Sequence, residues 1–291
     1  MTSRFDRRQL RRSFGRAAPN YAAVAALQRE VESRLLEQLD YLEERKPARV
    51  LDLGCGPGRA SAAMKQRWPK AEVIAVDMAL PMLREAGKQS RFWRPLRRVC
   101  ADITALPFAE QSCDVIFSSL CLQWVDDLPA LFNEFRRVLR PDGLLLLATF
   151  GPDTLAELRE AYSAIGEAPP VSPFTPIQPL GDALLGAGFR DPVLEREHYT
   201  LTYPALRALM QELRAIGAVD ARAERPRGLA GRARLQRVTD AYETFRSNGV
   251  LSSSWEVISA MAFAPKSGAP LRSGGSDLAS FPADRIPIRR R

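Results

Sequence analysis

The chain has 291 residues, 46% of them apolar and 26% charged, a composition that fits a soluble globular protein of one or two domains. Its longest aliphatic run, Leu144 to Ala148, falls far short of the roughly 20 apolar residues of a membrane span, so no membrane partner is expected. One histidine and four cysteines without CxxC spacing argue against a metal site or a disulfide framework, and with no apolar stretch at the N-terminus the chain reads as reduced and cytoplasmic.

Residues 1–20 hold six arginines against one aspartate and read as a basic arm. Val24, Leu27, Val31, Leu35, Leu39 and Leu42 then recur at three- and four-residue steps. That spacing predicts a first amphipathic helix over residues 22–42, with Tyr21 at its start and Pro47 beyond its end. A strand over residues 49–53 runs into Gly54-Cys55-Gly56-Pro57-Gly58, and a helix over 59–67 follows. Strands at 72–77, 97–101, 113–118 and 144–150 alternate with helices at 81–88 and 128–139. Such alternation with short links predicts an α/β unit with a parallel sheet. Beyond Gly151 the pattern is less regular. Asp153 is expected to cap a helix reaching Ile165, and residues 168–179 form a proline-rich loop before a short helix at 180–185. A strand at 193–203, helices at 206–216 and 232–246, and a last strand at 255–263 complete the reading.

The expected organisation is a basic arm and cap helix (1–47), a core from 48–203 and 251–265, a helical insertion (203–250) and a disordered basic tail (266–291). The insertion holds nine arginines against five acids, and the tail six basic residues against two aspartates. The net charge of +8 is therefore peripheral and suits an acidic partner. The insertion offers only Tyr203, Tyr242 and Phe245 as stacking aromatics, so nucleic acid is not expected.

The glycine loop carries the chemistry. Gly54 and Gly56 let the backbone turn sharply beside a ligand, and Gly58 relieves crowding at the helix start. The loop lacks the GxGxxG of a dinucleotide fold and the GKS/T of a P-loop. Acids flank it at three successive strand ends: Asp52, Asp77 and Asp102. A carboxylate at Asp77 suits a ribose diol, and Asp102 can accept from an adenine amino group.

The runs VLDLGCGPG, AVDMALPML, ADITALPF and FNEFRRVLRPDGLLLLATF, in that order, resemble the motifs of class I S-adenosylmethionine-dependent methyltransferases. The resemblance implies a Rossmann-like α/β fold, a seven-stranded mixed sheet with helices on both faces and a small helical cap. It also implies S-adenosylmethionine as cofactor, with S-adenosylhomocysteine as product. Gly54, Gly56 and Gly58 would cradle the methionine part and Asp77 the ribose. Met78 would flank the adenine, Asp102 and Ile103 would hold its amino edge, and Ser119 and Leu120 would line the site.

The flanks narrow the resemblance. Phe14 to Val31, the LCLQW of residues 120–124, and the stretch from LMQELRAIGA through DAYETFR with residues 255–265 are similar to the BioC family, the malonyl-carrier-protein O-methyltransferases of biotin synthesis. FGPDTLAELREAY and VSPFTPIQPL also resemble a mitochondrial complex I assembly factor that hydroxylates an arginine; the LRAIGA segment and the arginine-rich insertion favour the first family. Hydroxylation needs an oxidant or metal, and one histidine argues against a two-His facial triad. Another small-molecule methyltransferase is the third reading.

The BioC resemblance implies methyl transfer to the free carboxylate of a malonyl thioester, carried on an acidic acyl carrier protein or on coenzyme A. That carboxylate, with a pKa of roughly 3.5, is already ionised at neutral pH, so no general base is required. The task is to align it in a dry site. Tyr21, Gln123, Trp124 and His198 are the candidate catalytic donors, and Arg16 is a candidate partner for the carboxylate. Cys55 and Cys121 are read as packing.

Overall fold

Arg49–Leu53 (β1) buries four of its five residues and Glu72–Asp77 (β2) five of six, as strands covered on both faces must. With Arg97–Cys100 (β3), Cys113–Ser119 (β4), Leu139–Phe150 (β5), Arg190–Tyr203 (β6), Arg246–Ser247 (β7) and Val250–Phe263 (β8) they form one sheet. The computed structural model describes residues 4–42, 46–222, 231–267, 271–273 and 276–278. The strand order is β3-β2-β1-β4-β5-β8-β6, with the short β7 pairing β8. β1 to β5 run parallel, while β8 is antiparallel to both β5 and β6. The sheet is therefore the expected seven-stranded mixed one with a short eighth strand. Its order reverses between β1 and β4, and ligands of open α/β sheets bind outside the strand ends at such a point.

The helices are Arg7–Val24 (α1), Ala26–Glu37 (α2), Arg59–Arg67 (α3), Leu80–Lys88 (α4), Leu128–Val138 (α5), Ala156–Ala164 (α6), Ile177–Gly186 (α7), Leu206–Ala215 (α8) and Arg232–Tyr242 (α9). Leu27, Val31 and Leu35 of α2 share one core with Met64 of α3, Leu158 of α6, Leu209 of α8 and Tyr242 of α9. Phe132 and Phe135 of α5 share the opposite core with Leu180 and Leu184 of α7. Among the described residues no helix is long and apolar enough to cross a membrane.

Several expectations are corrected. The first helix begins at Arg7, where Asp6 caps it by accepting from the Gln9 amide at 3.0 Å. Tyr21 thus lies in the last turn of α1, not at a helix start, and the chain breaks at Ala25 before α2. Asp153 caps no helix: α6 starts at Ala156 behind Leu155, whose φ is 59°. α7 starts at Ile177, directly after Pro176, rather than at residue 180. β8 starts five residues early because Asn248 and Gly249, at φ 50° and 80°, form a two-residue hairpin from β7. The expected tail lies largely outside the described residues; within it Leu271–Ser273 pairs antiparallel with Ser276–Leu278.

Candidate functional site

The three loop glycines all have left-handed backbones, with φ of 72° at Gly54, 51° at Gly56 and 80° at Gly58. A Cβ on Gly54 would stand 2.4 Å from Cys121 Sγ, and one on Gly58 2.6 Å from Ala86 Cβ. Those two glycines let the loop sit tightly against α4 and the end of β4. A Cβ on Gly56 would meet nothing within 4 Å, because that glycine faces a cavity. Asp77, at the end of β2, is buried and lines the same cavity. Its carboxylate accepts from the Gly56 amide at 3.0 Å and the Ala79 amide at 2.7 Å, which fixes its orientation. Burial pushes its pKa up to about 6, against the pull of those two amides. Asp52 is buried one strand over and accepts from the Ser61 hydroxyl; burial raises its pKa to about 7.

Met78, Asp102, Ile103, Ser119 and Leu120 line this cavity with Gly54, Gly56 and Asp77. Gly58 is not among the lining residues; its part is to hold the loop against α4. Asp102 is already engaged: Arg7 of α1 forms an ion pair with it, and Thr104 donates its amide at 3.0 Å and its hydroxyl at 2.7 Å. Ser119 Oγ is buried without a partner among the described residues. An open glycine, an oriented carboxylate and an orphaned hydroxyl around one cavity fit S-adenosylmethionine, which needs partners for its amino-acid end and its ribose diol.

A second cavity of about 290 Å³ adjoins the first, and Phe14, Tyr21, Leu120 and Trp124 line both. The Tyr21 hydroxyl has no hydrogen bond among the described residues. Burial, with the charges of Glu32 and Asp77 nearby, pushes its pKa well above the ordinary value, so it stays an O–H donor. Gln123 donates to the Leu120 carbonyl at 2.7 Å, leaving its own Oε1 buried and unpartnered. Trp124 stands edge-on to Phe5 and Phe14 and forms a wall.

Gln28, Arg214 and Trp255 also line the second cavity and escaped the sequence reading. Gln28 Oε1 and Trp255 Nε1 are buried without partners among the described residues. Arg214 is exposed and makes no ion pair among them. A glutamine inside the apolar repeat of α2 was the one local signal; Arg214 and Trp255 arrive only through tertiary packing. Asp220 lines the cavity too, but Arg222 holds both its oxygens, at 2.9 and 2.8 Å.

Two candidates are not brought to either cavity. His198 lies exposed on β6, with Nε2 3.3 Å from Asp153 Oδ2 and opposite Glu256 in the register of β8. Arg16 lies exposed on the outer side of α1. Both side chains are carried away from the cavities by the elements they sit on.

Known proteins resemble this chain in sequence and in fold. Residues 51–147 match the family model of a methyltransferase domain. The YcgJ protein from Bacillus subtilis shares the fold, with a TM-score of 0.55 at 17% identity over 80% of this chain and 99% of that one. A malonyl-acyl-carrier-protein O-methyltransferase from Xylella fastidiosa is 54% identical over all of this chain and 99% of its own length. One of the same name from Halorhodospira halophila is 44% identical over 98% of this chain and 96% of its own. The chain belongs to the malonyl-acyl-carrier-protein O-methyltransferase family.

Proposed function

We propose that this chain transfers a methyl group from S-adenosylmethionine to the free carboxylate of a malonyl thioester on an acyl carrier protein, giving the methyl ester that starts pimeloyl synthesis for biotin. The observation that carries the proposal is the junction of the two cavities at Tyr21 and Trp124. S-adenosylmethionine, bound over Gly56 and Asp77, supplies an electrophilic methyl on a sulfonium. The second cavity receives the acceptor. Among the described residues no unengaged carboxylate and no histidine lines it, so it is built for an acceptor that arrives ionised rather than one that must lose a proton there.

The chain's own groups do the positioning. Arg214, which makes no ion pair among the described residues, offers a cation to a carboxylate entering the second cavity. The neutral Tyr21 hydroxyl donates to one carboxylate oxygen and leaves the other free to face the methyl group. Phe150, Phe174, Leu158 and Trp255 keep water away. That matters because water stabilises a separate carboxylate and sulfonium more than the charge-dispersed transition state between them. Coenzyme A is the alternative carrier, an acidic carrier protein fits the basic surface, and a cytoplasmic location fits the unpaired cysteines.

Arginine hydroxylation is not favoured, since relatives that align over the whole chain carry the O-methyltransferase name. The test is incubation with methyl-labelled S-adenosylmethionine and malonyl-carrier protein. A base-labile methyl ester on the malonyl group supports the proposal. Absence of label from the malonyl group, with label appearing on other acceptors, defeats it.

A further inference from the structure

α1 has two faces of opposite character. Its inner face presents Leu10, Phe14 and Tyr21 to the cavities, with Ala17 and Ala18 buried beside them. Its outer face presents Arg8, Arg11, Arg12 and Arg16, all exposed. None of these four makes an ion pair or side-chain hydrogen bond among the described residues. The helix contains no acidic residue at all.

This arrangement works against the helix. Arg8 sits in the first turn, where the helix dipole favours negative charge. Arg8, Arg12 and Arg16 are spaced four apart, where like charges repel. The Asp6 cap offsets part of the first cost, but no acidic residue within the helix offsets the second, and a local rule broken without a structural gain points to function.

The insertion, where the sequence places docking, is different. Arg222 is held by Asp220 at 2.8 Å and Arg246 by Glu243 at 2.6 Å. Arg234 pairs with Glu167, and Arg237 donates to the Ile165 carbonyl at 2.6 Å. Arg225 and Arg227 lie outside the described residues. Most of the described arginines there hold the fold together, whereas Arg8, Arg11, Arg12 and Arg16 of α1 have no side-chain partner among the described residues; only Arg7, at the inner side, is engaged, with Asp102.

We propose that the outer face of α1 is the docking surface for the carrier protein, and that an acidic helix of the carrier lies along the line of Arg8, Arg12 and Arg16. This rests on the malonyl-thioester reading. The stripe spans about 12 Å, two turns of helix, which matches two turns of a partner helix. α1 also packs on α8, the helix that carries Arg214, so a carrier seated there is held against the wall of the acceptor cavity. Charge alone selects the occupant: four uncompensated guanidiniums require an anionic surface and repel a basic or neutral one.

The test uses the full chain with Arg8, Arg11 and Arg12 all changed to Gln, a residue that keeps helix propensity. Three readouts are taken: KM and kcat for malonyl-carrier protein, the same for malonyl-pantetheine, which has no protein to dock, and thermal melting. The expected result is a KM for malonyl-carrier protein raised about tenfold with kcat retained and a weaker salt dependence, since such rim charges act on association. Kinetics on malonyl-pantetheine should be unchanged, and the melting temperature unchanged or higher. Equal loss on both substrates, or a lower melting temperature, would show a structural role and overturn the proposal. So would an unchanged KM for the carrier, or the whole effect appearing in Arg232→Gln on the insertion instead. Calorimetry with unacylated holo-carrier protein reads docking without methyl transfer. An Arg-to-Gln loss of about tenfold in that affinity supports the surface even if malonyl is not the acceptor, and no loss removes it even if malonyl is.

Discussion

Replacing Asp77 by Asn should weaken the cofactor and strengthen the empty protein at once. The carboxylate is buried, and its pKa stands near 6 instead of 3.8 because burial penalises its charge. Keeping it ionised at pH 8 therefore costs the folded state about 3 kcal/mol. The sign follows from proton binding. Between about pH 4 and pH 6 the folded state holds this proton more readily than the unfolded one, so stability falls as pH rises through that window. Asp52, raised to about 7, acts in the same direction. An asparagine amide removes the cost at Asp77 but can accept from only one of the Gly56 and Ala79 amides, and the amide left over costs about 1–2 kcal/mol. The empty Asp77→Asn protein should thus be about 1–2 kcal/mol more stable at pH 8, with a flatter pH profile. The ribose loses a charged acceptor worth roughly 1.5–3 kcal/mol, so Kd for S-adenosylhomocysteine should rise about 10- to 150-fold. Denaturant melts at several pH values and titration calorimetry read the two effects separately. Unchanged affinity in a folded variant, or a large loss of stability at pH 8, would refute the reasoning. In the wild type, cofactor affinity should also weaken as pH drops below about 6, where Asp77 takes up its proton.

Gly58→Ala should destabilise the fold by about 2–3 kcal/mol, since its methyl would press on Ala86 at 2.6 Å from a backbone at φ 80°; a denaturant midpoint equal to wild type would contradict this. Tyr21→Phe should lower kcat about tenfold with cofactor affinity within twofold, while His198→Ala should keep full activity; steady-state rates decide both. Arg214→Gln should raise KM for malonyl thioesters at least tenfold and leave cofactor binding unchanged by calorimetry.

The cofactor half of the site was legible because its determinants are local. Gly54 and Gly56 are needed where one short loop turns, and Asp77 ends a strand whose apolar run is visible by itself. The acceptor half was only partly so. α1 was hidden by its arginines, which made residues 7–18 read as an arm. Yet Leu10, Phe14, Ala17, Ala18 and Tyr21 recur at helical spacing across Gly15 and Pro19, the two residues that mask the pattern. The hairpin before β8 has a local signal in Asn248-Gly249, a dipeptide suited to a two-residue turn. Trp255 and Arg214 could not be found locally. They reach the cavity because β8 pairs between β5 and β6 and α8 packs against α1, contacts between residues far apart in sequence. His198 drew attention as the single histidine, but alternation along an edge strand turns it outward.

The central claim is that the second cavity takes an acceptor carboxylate already ionised and at a fixed distance from the methyl group. Initial rates with malonyl-, succinyl- and acetyl-carrier protein at matched concentration test it most directly. Malonyl should react fastest, and succinyl should be slower by about a hundredfold, because an extra methylene displaces its carboxylate by more than 1 Å. Acetyl, with no carboxylate, should give no methyl ester at all. Comparable rates on malonyl and succinyl, or any transfer to acetyl, would contradict the account.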